Sequence, residues 1–283
     1  MTTDSNKTGS SFHPTKKLGQ NFLIDNNVIN RILDSAELNS KDLIIEVGPG
    51  KGALTGKIAA IVNKIYAIEK DTFLFDELNK KYAKSDKLVI INEDALKTDF
   101  SSFECNSNIK FIANLPYNIT SPILSKLTEN RSIFSTIIIM IQKEVGNRIA
   151  SNPGNKIYGA LSVMIQTYFD VTHLFTVHPG SFRPKPKVDS VVIKLIPTDH
   201  YCSSIKDSKL YARVVKSSFS SRRKMIINAL KSEFDKEDIE ICLSKAGIDG
   251  KNRAETLNIL EFIQLSNSFY ELQHSTSSNS SSF

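Results

Sequence analysis

The feature that most constrains this chain is a repeated switch of apolar period between residues 26 and 150. Short β-rich runs, at Leu43–Val47, Ile65–Ile68, Leu88–Asn92, Ile109–Ala113 and Thr136–Ile141, alternate with segments of helical length. Such alternation predicts βα units wound around a parallel sheet. Two later β-rich runs, Thr172–Val177 and Ser190–Ile196, flank the loop HPGSFRPKPKVD, whose three prolines have no place in a central strand. These runs are expected to pair antiparallel through an irregular connection.

Beyond Pro197 the strand signal stops. Lys206–Phe219, Arg223–Lys231, Lys236–Ala246 and Leu260–Leu272 carry amphipathic helical spacing, which predicts a smaller all-helical domain over 198–273 after an α/β domain over 15–197. Residues 1–14 are expected to be a flexible leader, and the serine tract within 274–283 a disordered tail. The longest strongly apolar run, Ile137–Ile141, is far short of the roughly 20 residues that span a bilayer, so no membrane span is expected. Cys105, Cys202 and Cys242 are scattered and form no CxxC pair. That argues against a disulfide framework or a metal site and for a reducing cytoplasm. A net charge of +6 leans toward a polyanionic partner.

The stretch IIEVGPGKGALT places Gly48, Gly50 and Gly52 between a buried strand and a helix. Glycine there allows positive φ and close approach of a ligand to bare backbone, though many strand-to-helix turns need glycine for packing alone. Two further strand ends strengthen the reading. Glu69 stands about 20 residues past the loop, where a carboxylate can accept from both hydroxyls of a ribose, and Asp94 follows the third strand. Taken singly, Glu69 could be a solvated acid and Asp94 a helix N-cap. Together, on consecutive strand ends of a parallel sheet, they favour an adenosine-containing ligand. The loop is neither GxGxxG nor a phosphate-binding GKS or GKT, which argues against a nicotinamide oxidoreductase and a nucleotide triphosphatase. With Glu46 at the strand end, it resembles motif I of S-adenosylmethionine-dependent methyltransferases and so implies a Rossmann-like methyltransferase sheet.

The fourth strand runs out into Asn114-Leu115-Pro116-Tyr117. Alone, this would be a turn with a core tyrosine. Beside a methyl-donor site it suits an extruded adenine. The exocyclic amine is a poor nucleophile because its lone pair is delocalised into the ring. Two acceptors, the Asn114 side-chain oxygen and the Leu115 carbonyl, could hold its hydrogens and free that lone pair. Pro116 helps to fix the carbonyl's direction, and Tyr117 offers a ring on which an unstacked base can lie.

NLPY, KLGQNFL (17–23), EVGPGKGALT, FRPKPKVDSVV (182–192) and FSSRRKMIINAL (219–230) together resemble the ribosomal RNA adenine N6-dimethyltransferases, from about Thr15 to Leu272. Among them the small-subunit (16S) enzymes are nearest in motif wording. The resemblance implies donor contacts at Asn21, Leu23, Gly48, Glu69, Asp94 and Asn114, with Gly50 in the same loop. It also implies that Phe182 closes over the target base opposite Tyr117. A lone Phe there could equally be a buried loop anchor. Where the family commonly has consecutive prolines after that aromatic, this chain has Pro184-Lys185-Pro186.

The implied activity is dimethylation of two adjacent adenosines in a hairpin loop near the 3′ end of 16S rRNA, by a monomer acting on the small ribosomal subunit or its precursor. Lys16, Lys17, Arg183, Lys185, Lys187 and Arg222–Lys224 are the candidate phosphate contacts, although charge runs are usually solvated faces. Two rivals remain. One is a 23S rRNA dimethyltransferase of the macrolide-resistance type, and the other an RNA-binding assembly factor with vestigial activity. No histidine need be catalytic, since neither His173 nor His178 has a metal-ligand partner at useful spacing.

Overall fold

The structure, a computed structural model, describes residues 20–103 and 109–279. The expected leader, Lys16, Lys17 and Cys105 lie outside the described residues. The α/β part runs β1 (Phe22–Leu23), α1 (Asn26–Ala36), β2 (Leu43–Val47), α2 (Thr55–Ile61), β3 (Lys64–Glu69), α3 (Thr72–Tyr82), β4 (Leu88–Asn92), β5 (Ile109–Asn114), α4 (Thr120–Glu129) and β6 (Phe134–Gln142). It continues through α5 (Lys143–Ile149), α6 (Ala160–Tyr168), β7 (Phe169–Val177), β8 (Phe182–Arg183) and β9 (Ser190–Pro197). The helices α7 (Ser208–Ser218), α8 (Ile226–Leu230), α9 (Lys236–Lys245) and α10 (Ile259–Asn279) follow.

The main sheet has the order β4-β3-β2-β5-β6-β9-β7. Strands β2 to β6 are parallel to one another, whereas β9 pairs antiparallel with both β6 and β7. All seven expected strands are present and the late pair is antiparallel. β7 starts at Phe169, earlier than its apolar pattern indicates, because its ladder with β9 continues through solvent-facing residues such as Asp170. Chain direction along the sheet reverses between β2 and β5, the place where parallel sheets open a crevice at their carboxyl ends.

Side chains alternate across the sheet with period two, and consecutive residues enter different cores. Ile45, Phe111, Ile137 and Ile139 join one apolar cluster, in which Phe100, Phe111 and Phe134 meet edge to face. Ile44, Ile112, Ile138 and Met140 join the other, with Ile29, Ile32 and Ile58 from α1 and α2. A third cluster fills the helical part around Val214, Ile239, Phe262 and Phe269. Tyr158 and Val163, from before Pro197, sit inside it, and Tyr211 Oη lies 2.8 Å from Thr167 Oγ1. Packing therefore joins α6 to the helical core across the expected boundary.

Two helix bounds differ from expectation by more than two residues. α8 begins at Ile226, not Arg223, because the basic run forms a turn and the Ile226 N–H is taken by the Asn252 carbonyl at 2.7 Å. α10 continues past Leu272 to Asn279 and takes in the start of the segment expected as a disordered tail. Once Phe262, Leu265 and Phe269 dock, each further turn needs only propagation, not a new nucleus.

One buried ion pair locks α1 to the sheet. Lys110 on β5 donates to the Ala36 and Glu37 carbonyls, at 3.1 and 2.8 Å, and to Asp42 Oδ2 at 2.8 Å. It thereby satisfies the carboxyl end of α1, where Glu37 adopts a left-handed φ of 49°. Asp42 is fully buried, so Asp42→Ala strands the ammonium away from water. The expected cost is about 3–5 kcal/mol, read as a lower urea midpoint at unchanged slope.

Candidate active site

The carboxyl edge of the sheet forms one cleft, and the glycine loop is its floor. β2 pairs as far as Val47, and Gly48 N still donates to the Ile68 carbonyl at 3.0 Å before the chain turns through Pro49, Gly50 and Lys51. Gly48, Gly50 and Gly52 have φ of 70°, 58° and 75°, all in the region that favours glycine. Space is equally restrictive at Gly50, where an added Cβ would lie 3.0 Å from the Phe22 ring.

Glu69 holds this loop. Its Oε2 accepts the Gly50 N–H at 3.1 Å and its Oε1 the Asp71 N–H at 2.9 Å. Burial pushes its carboxyl up, while these main-chain donors oppose the shift. The expectation for Glu69 concerned a ligand alone, but the carboxylate also organises the protein. Asp94, at the next strand end, accepts from Lys70 Nζ at 2.8 Å and from Leu96 N–H at 3.1 Å. The Lys70 ammonium keeps it below the usual carboxylate range. No helix begins at Asp94, so the bond to Leu96 closes a turn and is not a helix cap, and Asp94 also lines the cleft.

Residues 20–25 lie across this edge as a strap. Gln20 Nε2 donates to Asp71 Oδ2 at 3.0 Å, and β1 pairs antiparallel with β8 so that Leu23 faces Phe182. Ile24 N–H donates to the Ser181 carbonyl at 2.9 Å, and Ser181 Oγ lies 2.9 Å from Asp25 Oδ2. Asn21 and Leu23 both line the cleft. Asn114 Nδ2 donates to the Asn21 carbonyl at 3.1 Å, which assigns the amide nitrogen to the strap and leaves Oδ1 as the acceptor for a ligand. Leu115 buries its side chain and donates its N–H to the Met140 carbonyl at 3.1 Å, so its backbone is held to β6. Pro116 has φ −56° and accepts from Ile119 N–H at 3.1 Å. Tyr117 Oη meets Ser190 Oγ at 2.9 Å.

Phe182 departs from expectation. It is 1% exposed, inside the apolar cluster that contains Leu23 and Val177, and it does not line the cleft. Its burial fits the alternative of a buried loop anchor. Antiparallel pairing with Leu23 draws the ring into the core, where its apolar surface leaves water. Of the basic groups, Arg183, Lys185, Lys187 and Arg222–Lys224 are exposed, and Arg222 Nη1 spends one bond on the Lys156 carbonyl at 2.7 Å.

In the sequence Glu46 stands out only as part of a motif, and Gln20, Ser181 and Ser190 do not stand out although they contact residues around the cleft. Gln20 could have been found inside KLGQNFL, and Ser190 inside the conspicuous KVDS. Glu46 is 2% exposed, lines the cleft, and its Oε2 has no hydrogen-bond partner among the described residues. Burial pushes its carboxyl up to about 8, with the Glu69 charge adding and the Thr55 hydroxyl opposing. Among the described residues no group of three or more His, Cys, Asp or Glu is placed to hold a metal ion, and no helix is long and apolar enough to cross a membrane.

Comparison with known proteins agrees with this geometry. Residues 11–271 match the family model for ribosomal RNA adenine dimethylases. The chain is 44% identical over 262 residues to the ribosomal RNA small subunit methyltransferase A of Clostridium acetobutylicum, covering 92% of this chain and 95% of that protein. It is 41% identical over 270 residues to the protein of the same name from Geobacter metallireducens, covering 93% and 98%. A dimethyladenosine transferase from Plasmodium falciparum superposes with a TM-score of 0.76 at 27% identity, over 88% of this chain and 97% of that one. The 23S rRNA methyltransferase ErmE superposes with a TM-score of 0.67 at 25% identity, over 88% and 100%.

The Glu46 carboxyl has a measurable consequence. Between its ordinary value of 4.5 and about 8, the folded chain keeps a proton that the unfolded chain has released, so stability falls as pH rises through that window. Glu46→Gln is expected to remove this part of the fall, gaining stability over the parent at about pH 8–9 and little near pH 5, as read by thermal melting across the range.

Proposed function

This chain belongs to the ribosomal RNA adenine dimethylase family, and we propose that its substrate is a pair of neighbouring adenosines in a hairpin loop near the 3′ end of small-subunit (16S) rRNA. It is a methyltransferase that uses S-adenosylmethionine and dimethylates adenine in ribosomal RNA. The small-subunit target is favoured over a 23S target by identities of 41–44% to proteins named for that subunit, against 25% to ErmE. In this reading the protein works as a cytoplasmic monomer on the subunit or its precursor.

The cleft fits the donor. Bare backbone at Gly50, a buried carboxylate at Glu69 and a carboxyl oxygen of Glu46 that is unpartnered among the described residues supply polar groups in the cleft. Asn21, Leu23, Gly48, Gly50, Glu69, Asp94 and Asn114 would hold it. When bound, S-adenosylmethionine supplies a methyl carbon made electrophilic by its sulfonium.

The observation that carries the reading is the Asn114 amide, oriented by the Asn21 carbonyl in a cleft that Leu115 also lines, and the reading takes the Leu115 carbonyl as the second acceptor. Those two oxygens accept the N6 hydrogens of adenine, pull the nitrogen toward tetrahedral geometry and aim its lone pair into the donor cleft. Tyr117 supports the unstacked base on its ring. Among the described residues no histidine lines the cleft, and none is needed, because the amine becomes acidic only after methylation and can then lose its proton. Rate enhancement comes from orientation and preorganised acceptors. The exposed Arg183, Lys185, Lys187 and Arg222–Lys224 provide phosphate contacts, which makes binding weaken steeply with salt.

Asn114→Ala is expected to slow transfer by about 10²–10³, the scale of losing one preorganised polar group. Asn114→Asp should fare no better, because one carboxylate oxygen would face the Asn21 carbonyl. Single-turnover rates at saturating RNA and donor check both, and near-parental rates would overturn the role of Asn114. Incubation of unmodified 30S and 50S particles with tritiated donor, followed by mapping of the label, tests the target. Label confined to 50S would give the 23S reading.

A further inference from the structure

We propose that Ser190 is a positioning residue for methyl transfer, its buried hydroxyl holding the Tyr117 ring at the angle from which that ring supports the target adenine. The inference rests on the reading of Tyr117 as the base platform. Tyr117 opens a single 3₁₀ turn, Tyr117–Ile119, that has no side-chain cap, and the residue is only partly buried. Backbone geometry fixes where the side chain starts but leaves its torsions a choice of wells. The phenol end needs its own anchor, and the hydroxyl it meets at 2.9 Å comes from 73 residues away.

Ser190 is well suited to be that anchor. It is 1% exposed and starts β9, where it pairs with Gln142 of β6 on one side and Val177 of β7 on the other. The preceding residue is tied down as firmly. The Asp189 carbonyl accepts Lys143 N–H at 3.0 Å, and its carboxylate takes Lys143 Nζ at 3.2 Å and His178 Nδ1 at 3.1 Å. The Ser190 hydroxyl thus stands on three strand ends, clear of the proline-rich loop before it. Asn114 leaves β5, the strand on the other side of β6, and Tyr117 follows it by three residues. The hydrogen bond therefore ties the platform to the far side of the strand that flanks the acceptor pair.

Loss of one neutral hydrogen bond corresponds to about a three- to tenfold effect. Ser190→Ala is expected to slow single-turnover transfer by that factor, with affinity for S-adenosylmethionine unchanged, while Ser190→Thr keeps the parental rate. Tyr117→Phe retains the ring and loses the bond, so it should show the same loss, and the double variant should be no slower than either single one. RNA carrying 2-aminopurine at the target position gives a second readout, with weaker quenching on Ser190→Ala than on the parent. Parental rates and quenching for Ser190→Ala and Tyr117→Phe, or additive losses in the double variant, would overturn the role of Ser190. Tyr117→Ala separates the two ideas: if it is slow while those variants are not, the platform stands without its anchor, and if it too is parental, the platform reading itself fails.

Discussion

In-register parallel pairing of β3, β2 and β5 is the constraint on which the site depends. Val47 faces Ile68 on one side and Ala113 on the other, so the next residues, Gly48, Glu69 and Asn114, leave the sheet level with one another. A strand rises about 3.3 Å per residue, so a slip of two residues, which would keep every side chain on its face, would still displace one of these groups by roughly 7 Å. Such an offset exceeds the reach of any hydrogen bond in the cleft. The apolar alternation that sends Ile44 and Ile45 into opposite cores is therefore also what sets the geometry of the cleft.

Polar groups at that edge are arranged to orient one another before any ligand arrives. Glu69 uses both oxygens on main-chain N–H groups and so shapes the loop that the donor must approach. The strap does the same for Asn114, because a carbonyl can only accept and the amide must turn its nitrogen toward Asn21. Deep burial keeps the Glu46 carboxyl up at about 8, and its neutral form spares the cleft a second unpaired charge beside Glu69. Desolvation and orientation act together in the same few residues.

The Tyr117 side of the cleft is built from more distant chain. Tyr117 follows β5, Ser190 begins β9, and their contact depends on the antiparallel insertion of β9 between β6 and β7. Phe182 is drawn the other way, into the core beneath the strap, because β8 pairs with β1. The helical part is joined to this frame through Tyr158, Val163 and the Tyr211–Thr167 contact, so its exposed basic turn at Arg222–Lys224 is carried on a packed body.

Local sequence disclosed the strand count, the alternation with helices, the glycine loop and the expectation that Glu69, Asp94, Asn114 and Tyr117 meet at one cleft, since these follow from apolar period and from residue chemistry at strand ends. It also placed Asn21 and Leu23 through their motif. Other features were set by pairing partners far away in the chain. Asn114 acquired its orientation from Asn21, Tyr117 its anchor from Ser190, and Phe182 its burial from Leu23. The α6 residues entered the helical core for the same reason. A run of residues declares which surfaces must leave water, but which polar atom meets which other depends on strand order and register, and those exist only once the chain has closed on itself.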